Sequence, residues 1–268
     1  MPIRDELKGR VALVTGASRG IGEAIARRLS MAGARVAITA RTEERHPKLP
    51  GSLRETLKRL PGAAESIAVP GDLSLPEDRA RIVDEVVAQL GAVDILVNNA
   101  ARAFYEPAHQ ISDKRLRLAF ELNLIAPLDL VQRVVPGMRA RGAGWVVNLS
   151  STTSTPPAGP PWNDFARTSG IYAASKAALE RLTIGLAAEL IDDGIAINTL
   201  APVAAVYTEA AARMGAMPED EGLIEPVEVI AEAALALSTC EPSELTGRVT
   251  LSGPLLEELG RVPQPLEG

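Results

Sequence analysis

Seven short runs of apolar and β-branched residues alternate along the chain with longer stretches of helical periodicity. Several runs are almost continuously apolar, as is typical of strands in a parallel sheet covered on both faces. After the first run, Ile21, Ile25 and Leu29 lie four apart and share a helix face. This alternation predicts an α/β fold with a doubly wound, mostly parallel seven-stranded sheet flanked by helices. The predicted strands are Val11–Thr15, Val36–Ala40, Ser66–Val69, Ile95–Asn98, Trp145–Leu149, Ile195–Leu200 and Arg248–Leu251.

The 268 residues show no internal repeat and no break in composition that would separate two domains. We therefore expect one domain over residues 1–253, followed by a proline-rich, acidic C-terminal tail over residues 254–268. Two insertions interrupt the pattern. Residues 45–60 contain a short helical piece, Leu53–Leu60, and residues 155–171 are proline-rich.

Charge and residue usage exclude several classes of function. The chain has 28 basic and 34 acidic residues, a net charge of −6, which argues against a general nucleic-acid or anionic-membrane binder. Cys240 is the sole cysteine and His46 and His109 the two histidines, so neither a disulfide nor a zinc site is expected, and we predict no metal. An acidic N-terminus and the lack of a long apolar run predict a cytoplasmic protein.

A glycine-rich turn, residues 15–22 (TGASRGIG), connects the first predicted strand to the first predicted helix. Glycines permit a tight turn and close backbone approach, and the N-terminus of the helix offers free N–H groups to an anion. The spacing is Gly-x-x-x-Gly-x-Gly, which differs from the standard dinucleotide fingerprint. The turn favours a phosphate-bearing cofactor, and the alternative is a structural corner without a ligand.

Further motifs follow this turn in a fixed order. They are Asp72-Leu73, Asn98-Asn99-Ala100-Ala101, Asn123, Asn148-Leu149-Ser150-Ser151 and Tyr172-Ala173-Ala174-Ser175-Lys176. Together, over about Lys8 to Ser252, the chain resembles the short-chain dehydrogenase/reductase family. The resemblance implies a Rossmann-like fold, a nicotinamide cofactor and hydride transfer between a carbonyl and an alcohol.

The resemblance also implies where the cofactor binds. Asp72 would bond the adenine amine with Leu73 beside it, and Asn99 and Ala100 would line the ribose and nicotinamide. Asp72 could instead be a turn residue, because Gly71-Asp72 has that character by itself. The full implied set is Gly16, Ser18, Arg19, Gly20, Ile21, Gly22, Arg41, Asp72, Leu73, Asn99, Ala100, Tyr172, Lys176, Pro202, Val203 and Thr208.

The second strand is expected to end at Ala40, where an NAD-preferring relative would place Asp. Arg41 and Arg19 could both face a 2′-phosphate through charge-assisted contacts. We predict NADP(H) in preference to NAD(H), and the alternative is that both arginines are solvated surface charges.

Tyr172 and Lys176 lie four residues apart at the start of a predicted helix, so they project from one face. An adjacent ammonium stabilises phenolate and should lower the pKa of Tyr172 towards the range that proton transfer needs. By resemblance, Tyr172 is the acid–base, Lys176 also holds the nicotinamide ribose, Ser151 polarises the carbonyl and Asn123 completes a proton relay through water. Asn123 could instead be a buried polar residue that bonds helix backbone.

Two departures from the family pattern bear on these roles. Ser151 lies 21 residues before Tyr172, more than the family usually shows, so Ser154 is the backup for the serine. After the sixth strand the family commonly has Pro-Gly, whereas this chain has Pro202-Val203, and valine lacks the backbone freedom of glycine.

Residues Ala204–Glu225 are expected to cover the substrate, with an adaptable apolar lining that includes Ala210, Ala211, Met214 and Met217. Trp162 and Phe165 would add to the pocket wall, unless Trp162 only anchors its loop. Residues 45–60 weakly resemble a hydroxysteroid-dehydrogenase-like subgroup, and could equally be an elaborated surface loop. A lipophilic ketone or secondary alcohol is therefore the predicted substrate.

The sequence thus predicts an NADP(H)-dependent oxidoreductase that acts on a small-molecule carbonyl or alcohol. By resemblance it would be a homodimer or homotetramer that packs the helices around Arg117–Val134 and Ala173–Leu190. Two alternatives remain open: a non-catalytic NADP(H)-binding sensor or scaffold on the same fold, and an epimerase or dehydratase of the same family.

Overall fold

The structure is a computed structural model that describes residues 5–44, 49–213 and 224–266. Within these residues, seven strands form a parallel sheet in the order β3-β2-β1-β4-β5-β6-β9. Two further strands, β7 and β8, pair beside it. The strands are β1 (Val11–Thr15), β2 (Arg35–Thr39), β3 (Ile67–Ala68), β4 (Ile95–Asn98), β5 (Gly144–Leu149), β6 (Ile195–Ala201), β7 (Ala205–Val206), β8 (Ile224–Glu225) and β9 (Val249–Leu251).

Helices connect the strands and cover both faces of the sheet, which confirms the predicted α/β class. One apolar cluster lies under α1, α9 and α10, and a second lies under α3, α5 and α7. The helices are α1 (Gly20–Met31), α2 (Leu53–Arg59), α3 (Pro76–Leu90), α4 (Asp113–Phe120), α5 (Ala126–Arg141), α6 (Asp164–Thr168), α7 (Gly170–Leu190), α8 (Glu209–Arg213), α9 (Val227–Thr239) and α10 (Ser252–Glu258).

The predicted strands match the observed ones closely where they are buried. β1 and β4 have the predicted bounds, and every residue of both strands is buried. The predicted strand over Ser66–Val69 is observed only at Ile67–Ala68, at the edge of the sheet. An edge strand has a single hydrogen-bonding neighbour, here β2, so fewer of its residues are held in the ladder.

The strand order places the candidate site. From β1 the chain proceeds outward through β2 and β3, and it then returns to the other side of β1 with β4. The loops that leave β1 and β4 therefore diverge at their carboxyl ends and open a crevice between them. Ligands of doubly wound sheets bind in such a crevice.

The C-terminal residues pack on the sheet domain. The expected boundary between residues 253 and 254 lies within α10, whose Leu255 and Leu256 are buried against the first apolar cluster. Beyond α10, the backbone carbonyls of Gln264 and Leu266 accept hydrogen bonds from Arg28 and Arg27 of α1. Among the described helices, none is long and apolar enough to cross a membrane.

Candidate active site

The glycine turn joins β1 to α1 with two residues in the left-handed region. Gly16 has φ +65° and Gly20 has φ +60°. Gly22 has no room for a side chain, because an added Cβ would lie 2.5 Å from the carbonyl oxygen of Gly16. These positions require glycine. Without side chains there, a bulky ligand group in the crevice can approach the backbone of the turn closely.

Asn99 ties the end of β4 to the glycine turn. Its Nδ2 donates to the carbonyl oxygens of Thr15 at 2.9 Å and Gly16 at 3.2 Å. In return, the hydroxyl of Thr15 accepts from the backbone N–H groups of Asn99 and Ala100, both at 3.0 Å. The side chain of Asn99 thus fixes the two walls of the crevice relative to each other.

A cavity of about 320 Å³ occupies the crevice. Half of the predicted cofactor residues line it: Gly16, Ser18, Arg19, Arg41, Asp72, Leu73, Asn99 and Ala100. Thr208 lies against the turn, since a Cβ on Gly20 would be 3.2 Å from its methyl group. Val203 is 44% exposed, and its backbone N–H donates to Glu225 at 2.9 Å, away from this cavity.

Arg19 and Arg41 both line this cavity, and the charge of one acts on the other. Burial and the nearby charge of Arg41 lower the pKa of Arg19. Arg19 donates to the carbonyl oxygen of Gly51 at 3.0 Å, while its Nε is buried without a hydrogen-bond partner among the described residues. A buried guanidinium nitrogen without a partner fits an anionic group that binds beside it.

The position of Asp72 is compatible with both roles considered for it, as a turn residue and as a cofactor contact. Its Oδ1 accepts from the backbone N–H and hydroxyl of Ser74 at 2.9 and 2.8 Å, a local turn before α3. Its Oδ2 lies 3.8 Å from Nη1 of Arg41. The carboxylate therefore partly offsets the charge of Arg41 and still lines the cavity.

Ser151 follows β5 and contacts the phenol of Tyr172. A hydrogen bond between these two side chains lowers the pKa of the phenol, and the hydroxyl of Ser151 also accepts from that of Thr153 at 3.0 Å. The hydroxyl of Ser154 instead lies 2.7 Å from Oε1 of Glu180. The geometry therefore favours Ser151 over Ser154, because Ser151 is the serine that contacts Tyr172. The extra residues between Ser151 and Tyr172 form an outward bulge that includes α6.

Lys176 lies one helical turn after Tyr172 on α7 and is 3% exposed. Its Nζ is 5.8 Å from the ring centroid of Tyr172 and donates to the carbonyl oxygen of Leu149 at 2.6 Å. Burial lowers the pKa of Lys176 to about 8, and the charge of Glu180 opposes this shift.

The expectation that Lys176 lowers the pKa of Tyr172 is wrong for this structure. Burial, and then the neighbouring Tyr105, raise the pKa of Tyr172 to about 12, and the hydrogen bond from Ser151 only partly opposes them. The physical reason is geometric, since the ammonium faces the ring and bonds the backbone of β5. Tyr172 is consequently a protonated phenol at neutral pH.

Asn123 lies in a single π-helical turn, residues Glu121–Ile125, between α4 and α5. Its Nδ2 donates to the carbonyl oxygen of Arg102 and to the hydroxyl of Ser175, both at 2.9 Å, and its Oδ1 accepts from the N–H of Arg102 at 2.8 Å. The side chain is 1% exposed and bonds the loop after β4 and α7, rather than its own helix. Asn123 thus joins the two segments that border Tyr172.

Tyr105 and Phe165 form an aromatic rim beside Tyr172, and the sequence analysis missed Tyr105. The ring of Tyr105 lies 6.0 Å from that of Tyr172, edge to face, and 5.6 Å from that of Phe165. Phe165 is therefore near the site as predicted, whereas Trp162 packs on Gly159 of its own loop. The only sequence signal for Tyr105 was its position shortly after the Asn98-Asn99 motif.

Two predicted segments are only partly described. In the segment expected to cover the substrate, Ala210 and Ala211 belong to α8, while Met214 and Met217 lie outside the described residues. Of residues 45–60, those at 45–48 also lie outside them, whereas Gly51 contacts Arg19 of the glycine turn.

This arrangement defines a class of protein: a doubly wound α/β fold with a cavity between the loops that leave β1 and β4, and with Ser151, Tyr172 and Lys176 brought together after β5 and on α7. A family model described as "short chain dehydrogenase" matches residues 10–219. The chain therefore belongs to the short-chain dehydrogenase family of oxidoreductases.

Individual relatives agree with this assignment. Hydroxysteroid dehydrogenase-like protein 2 of Homo sapiens is 30% identical over 97% of this chain and 60% of its own length, which confirms and extends the resemblance noted at residues 45–60. A short-chain dehydrogenase of Mycobacterium thermoresistibile superposes with a TM-score of 0.82 at 32% identity, over 98% of this chain and 94% of that one. A metagenomic short-chain oxidoreductase in complex with NADP has a TM-score of 0.74 at 30% identity, over 92% and 97%. The chain spans between 48% and 60% of the length of the curated relatives it matches.

Proposed function

We propose that this protein is an NADP(H)-dependent carbonyl reductase that converts a lipophilic ketone to a secondary alcohol. The observation that carries the proposal is the convergence of Tyr172, Lys176 and Ser151, with the phenol hydrogen-bonded to the serine. The crevice lined by Gly16, Asn99 and Ala100 would hold the dinucleotide. Arg102, which also lines it, is joined to α7 beside Tyr172 through the side chain of Asn123.

A bound nicotinamide supplies the hydride in this reaction, and the chain supplies the rest. Ser151 donates a hydrogen bond to the substrate carbonyl oxygen and polarises it. Tyr172 then gives its proton to that oxygen as charge develops. The ammonium of Lys176 would hold the ribose hydroxyls of the nicotinamide, and Asn123 positions the backbone beside Tyr172.

The protonation states support reduction as the working direction at neutral pH. A phenol with a pKa of about 12 carries the proton that a ketone must receive. Lys176, with a pKa of about 8, is mostly an ammonium at neutral pH and becomes neutral as the pH rises through 8. We therefore expect reduction to decline above about pH 8, where Lys176 loses the positive charge that would hold the nicotinamide ribose.

The preference for NADP(H) rests on the end of β2. Ala40 follows this strand and lines the cavity, so no carboxylate from that position faces the adenosine ribose. The adjacent Arg41 and the partly buried Arg19 offer two guanidiniums to a 2′-phosphate. The similar metagenomic oxidoreductase was solved with NADP.

The aromatic rim supports the substrate class. Tyr105 and Phe165 are 56% and 52% exposed, although Tyr105 contacts the ring of Tyr172 and Phe165 contacts the ring of Tyr105. Such rings bind apolar or planar groups favourably and would form one wall of the substrate site.

The proposal is tested by consumption of NADPH and of NADH, followed at 340 nm, with a panel of ketones, quinones and steroid carbonyls. We expect turnover of lipophilic carbonyls with NADPH and slower turnover with NADH. Tight NADPH binding without turnover of any carbonyl would contradict the proposal and favour a nucleotide sensor.

Replacing Ala40 by Asp is expected to reverse the cofactor preference. A carboxylate at the end of β2 repels a 2′-phosphate and accepts bonds from an unmodified ribose. Loss of charge-assisted contacts of this kind corresponds to roughly a 10- to 100-fold fall in kcat/KM for NADPH. Steady-state kinetics with both cofactors measure it, with Ala40→Ser as the uncharged control. An unchanged ratio of the two kcat/KM values would contradict the assignment.

Replacing Ser151 by Ala is expected to lower kcat by about 10²- to 10³-fold, because one donor to the developing oxyanion is lost. Thr152 is exposed in the same turn and supplies the control, since Thr152→Ala should keep kcat within about twofold. Single-turnover measurements with saturating NADPH separate this effect from cofactor binding. Full activity of the Ser151→Ala protein would show that another residue polarises the substrate carbonyl.

A further inference from the structure

We propose that Glu180 is a positioning residue for this site: its carboxylate holds the base of the loop that carries Ser151 and provides the negative charge that faces Lys176. This inference rests on the proposed function. Nothing in the motif pattern singled out Glu180, which lies on α7 eight residues after Tyr172 and four after Lys176.

The first part of the argument is the contact between Glu180 and two serines. Oε1 of Glu180 lies 2.5 Å from the hydroxyl of Ser150 and 2.7 Å from that of Ser154. These serines flank Ser151, one directly before it and one at the end of the short turn that follows. Hydrogen bonds to a carboxylate are roughly twice as strong as those between neutral groups.

The loop needs such an anchor because of its length. Between this turn and α7 the chain makes a long excursion through residues 155–168 that ends with α6, and Trp162 and Phe165 within it are about half exposed. The backbone of Ser150 is fixed by its own bond to Leu200 of β6 at 2.8 Å. Ser154 lies on the far side of Ser151, and its backbone N–H closes the turn by donating to the carbonyl oxygen of Ser151 at 3.0 Å. Its hydroxyl lies 2.8 Å from that carbonyl oxygen and 2.7 Å from Oε1 of Glu180, so the carboxylate joins the closed turn to α7.

The second part is the position of Glu180 relative to Lys176. Residues four apart on a helix lie on one face, so Tyr172, Lys176 and Glu180 form a single row along α7. The carboxylate raises the pKa of the ammonium against the larger effect of burial. A charge held this way keeps Lys176 protonated over a wider pH range than burial alone would allow.

The other groups that face this row are few among the described residues. From β5, the backbone carbonyl of Leu149 accepts from Lys176, and from the following loop Ser151 bonds Tyr172. From the loop after β4, Tyr105 contacts the ring of Tyr172. Within the described part of the chain, Glu180 is the sole carboxylate that contributes to the pKa of Lys176, so a change in the lysine titration on its removal reports this charge.

The test compares Glu180→Gln, which keeps the shape and one acceptor, with Glu180→Ala and with the double variant Ser150→Ala/Ser154→Ala. Glu189→Gln, on an exposed face of the same helix, is the matched control. Circular dichroism and NADPH binding establish that each variant is folded. If Glu180→Ala fails to fold, the other variants carry the test.

Two readouts separate the two parts of the role. Steady-state kinetics should show kcat about 10- to 100-fold lower in Glu180→Ala and the double variant, with the KM for NADPH within about twofold. The chain has five lysines, so NMR of lysine labelled with ¹³C at Cε resolves Lys176, assigned with Lys176→Arg. Lys176 should titrate near 8 in the unmodified protein and at least about half a pH unit lower in Glu180→Gln. In the double variant, which keeps the charge, the titration should stay unchanged.

The outcomes distinguish this inference from the proposed function. If the unmodified protein reduces carbonyls but Glu180→Gln matches Glu189→Gln in both kcat and lysine titration, Glu180 has no positioning role. A lower kcat with an unchanged titration would overturn the electrostatic part of the proposal. If the unmodified protein reduces no carbonyl, the proposed function is wrong, and so is the role of Glu180 in catalysis. The lysine titration still decides in that case whether the charge of Glu180 acts on Lys176.

Discussion

Replacing Tyr172 by Phe is expected to lower kcat for carbonyl reduction by about 10²- to 10⁴-fold, the range typical of losing a general acid. The phenol is the protonated group hydrogen-bonded to Ser151, and its pKa of about 12 keeps it protonated at neutral pH. Phenylalanine keeps the ring, and with it the contacts to Tyr105 and to the ammonium of Lys176. The substitution therefore removes one oxygen and its proton and leaves the packing in place.

The measurement is kcat with saturating NADPH, together with the Kd for NADPH from fluorescence titration. We expect the Kd to change by less than about threefold, because the glycine turn, Asn99 and Lys176 are unchanged and phenylalanine keeps the ring. Tyr207 is 55% exposed, and Tyr207→Phe is the control for a lost phenol oxygen elsewhere. Comparable turnover in Tyr172→Phe and Tyr207→Phe would show that another group supplies the proton.

Replacing Glu232 by Ala is expected to reduce the free energy of unfolding by about 3–5 kcal/mol, as for other broken buried ion pairs. Glu232 of α9 is 1% exposed and lies 3.3 Å from Nε of Arg28 on α1 and 3.1 Å from Nη2 of Arg261. Arg28 has a side chain that is 3% exposed, and a guanidinium does not lose its proton in proteins. Without the carboxylate, a buried positive charge remains between two packed helices.

Urea unfolding followed by circular dichroism measures this effect. Glu257→Ala, an exposed glutamate on α10, is the control and should change the free energy of unfolding by less than about 0.5 kcal/mol. The double variant Arg28→Met/Glu232→Met should regain most of the loss, because apolar side chains of similar volume replace both charges. A Glu232→Ala protein as stable as the Glu257→Ala control would show that other groups or water stabilise the charges of Arg28 and Arg261 and would contradict this prediction.

The sequence sufficed for the fold class and for most of the crevice. Continuous apolar runs and the helical period of 3.6 residues are local properties, so Val11–Thr15 and Ile95–Asn98 could be predicted to the residue. The location of a motif that directly follows a strand can also be predicted, since the carboxyl ends of parallel strands share one edge of the sheet. Gly16 and Asn99 were predicted as cofactor residues in this way, and the structure brings the two residues together.

The choice between Ser151 and Ser154 needed the tertiary structure. Spacing along the chain is uninformative where an insertion bulges outward, and only the contact with Tyr172 separates the two serines. The same holds for the C-terminal residues, where the expected tail includes α10 with its buried leucines. In each case the deciding contact joins residues far apart in sequence.

What the sequence by itself determined is the order of strands and helices, the glycine turn and the identity of the Tyr172–Lys176 pair. What only the tertiary structure decided is the ionisation of that pair and the residues that surround it: burial raises the pKa of Tyr172 and lowers that of Lys176, and Tyr105 and Glu180 lie beside them. The physical reason is that burial and electrostatic fields sum over every neighbour in space. Helical spacing placed the ammonium near the phenol, whereas the packing of α7 against β5 determined how much solvent both groups lost.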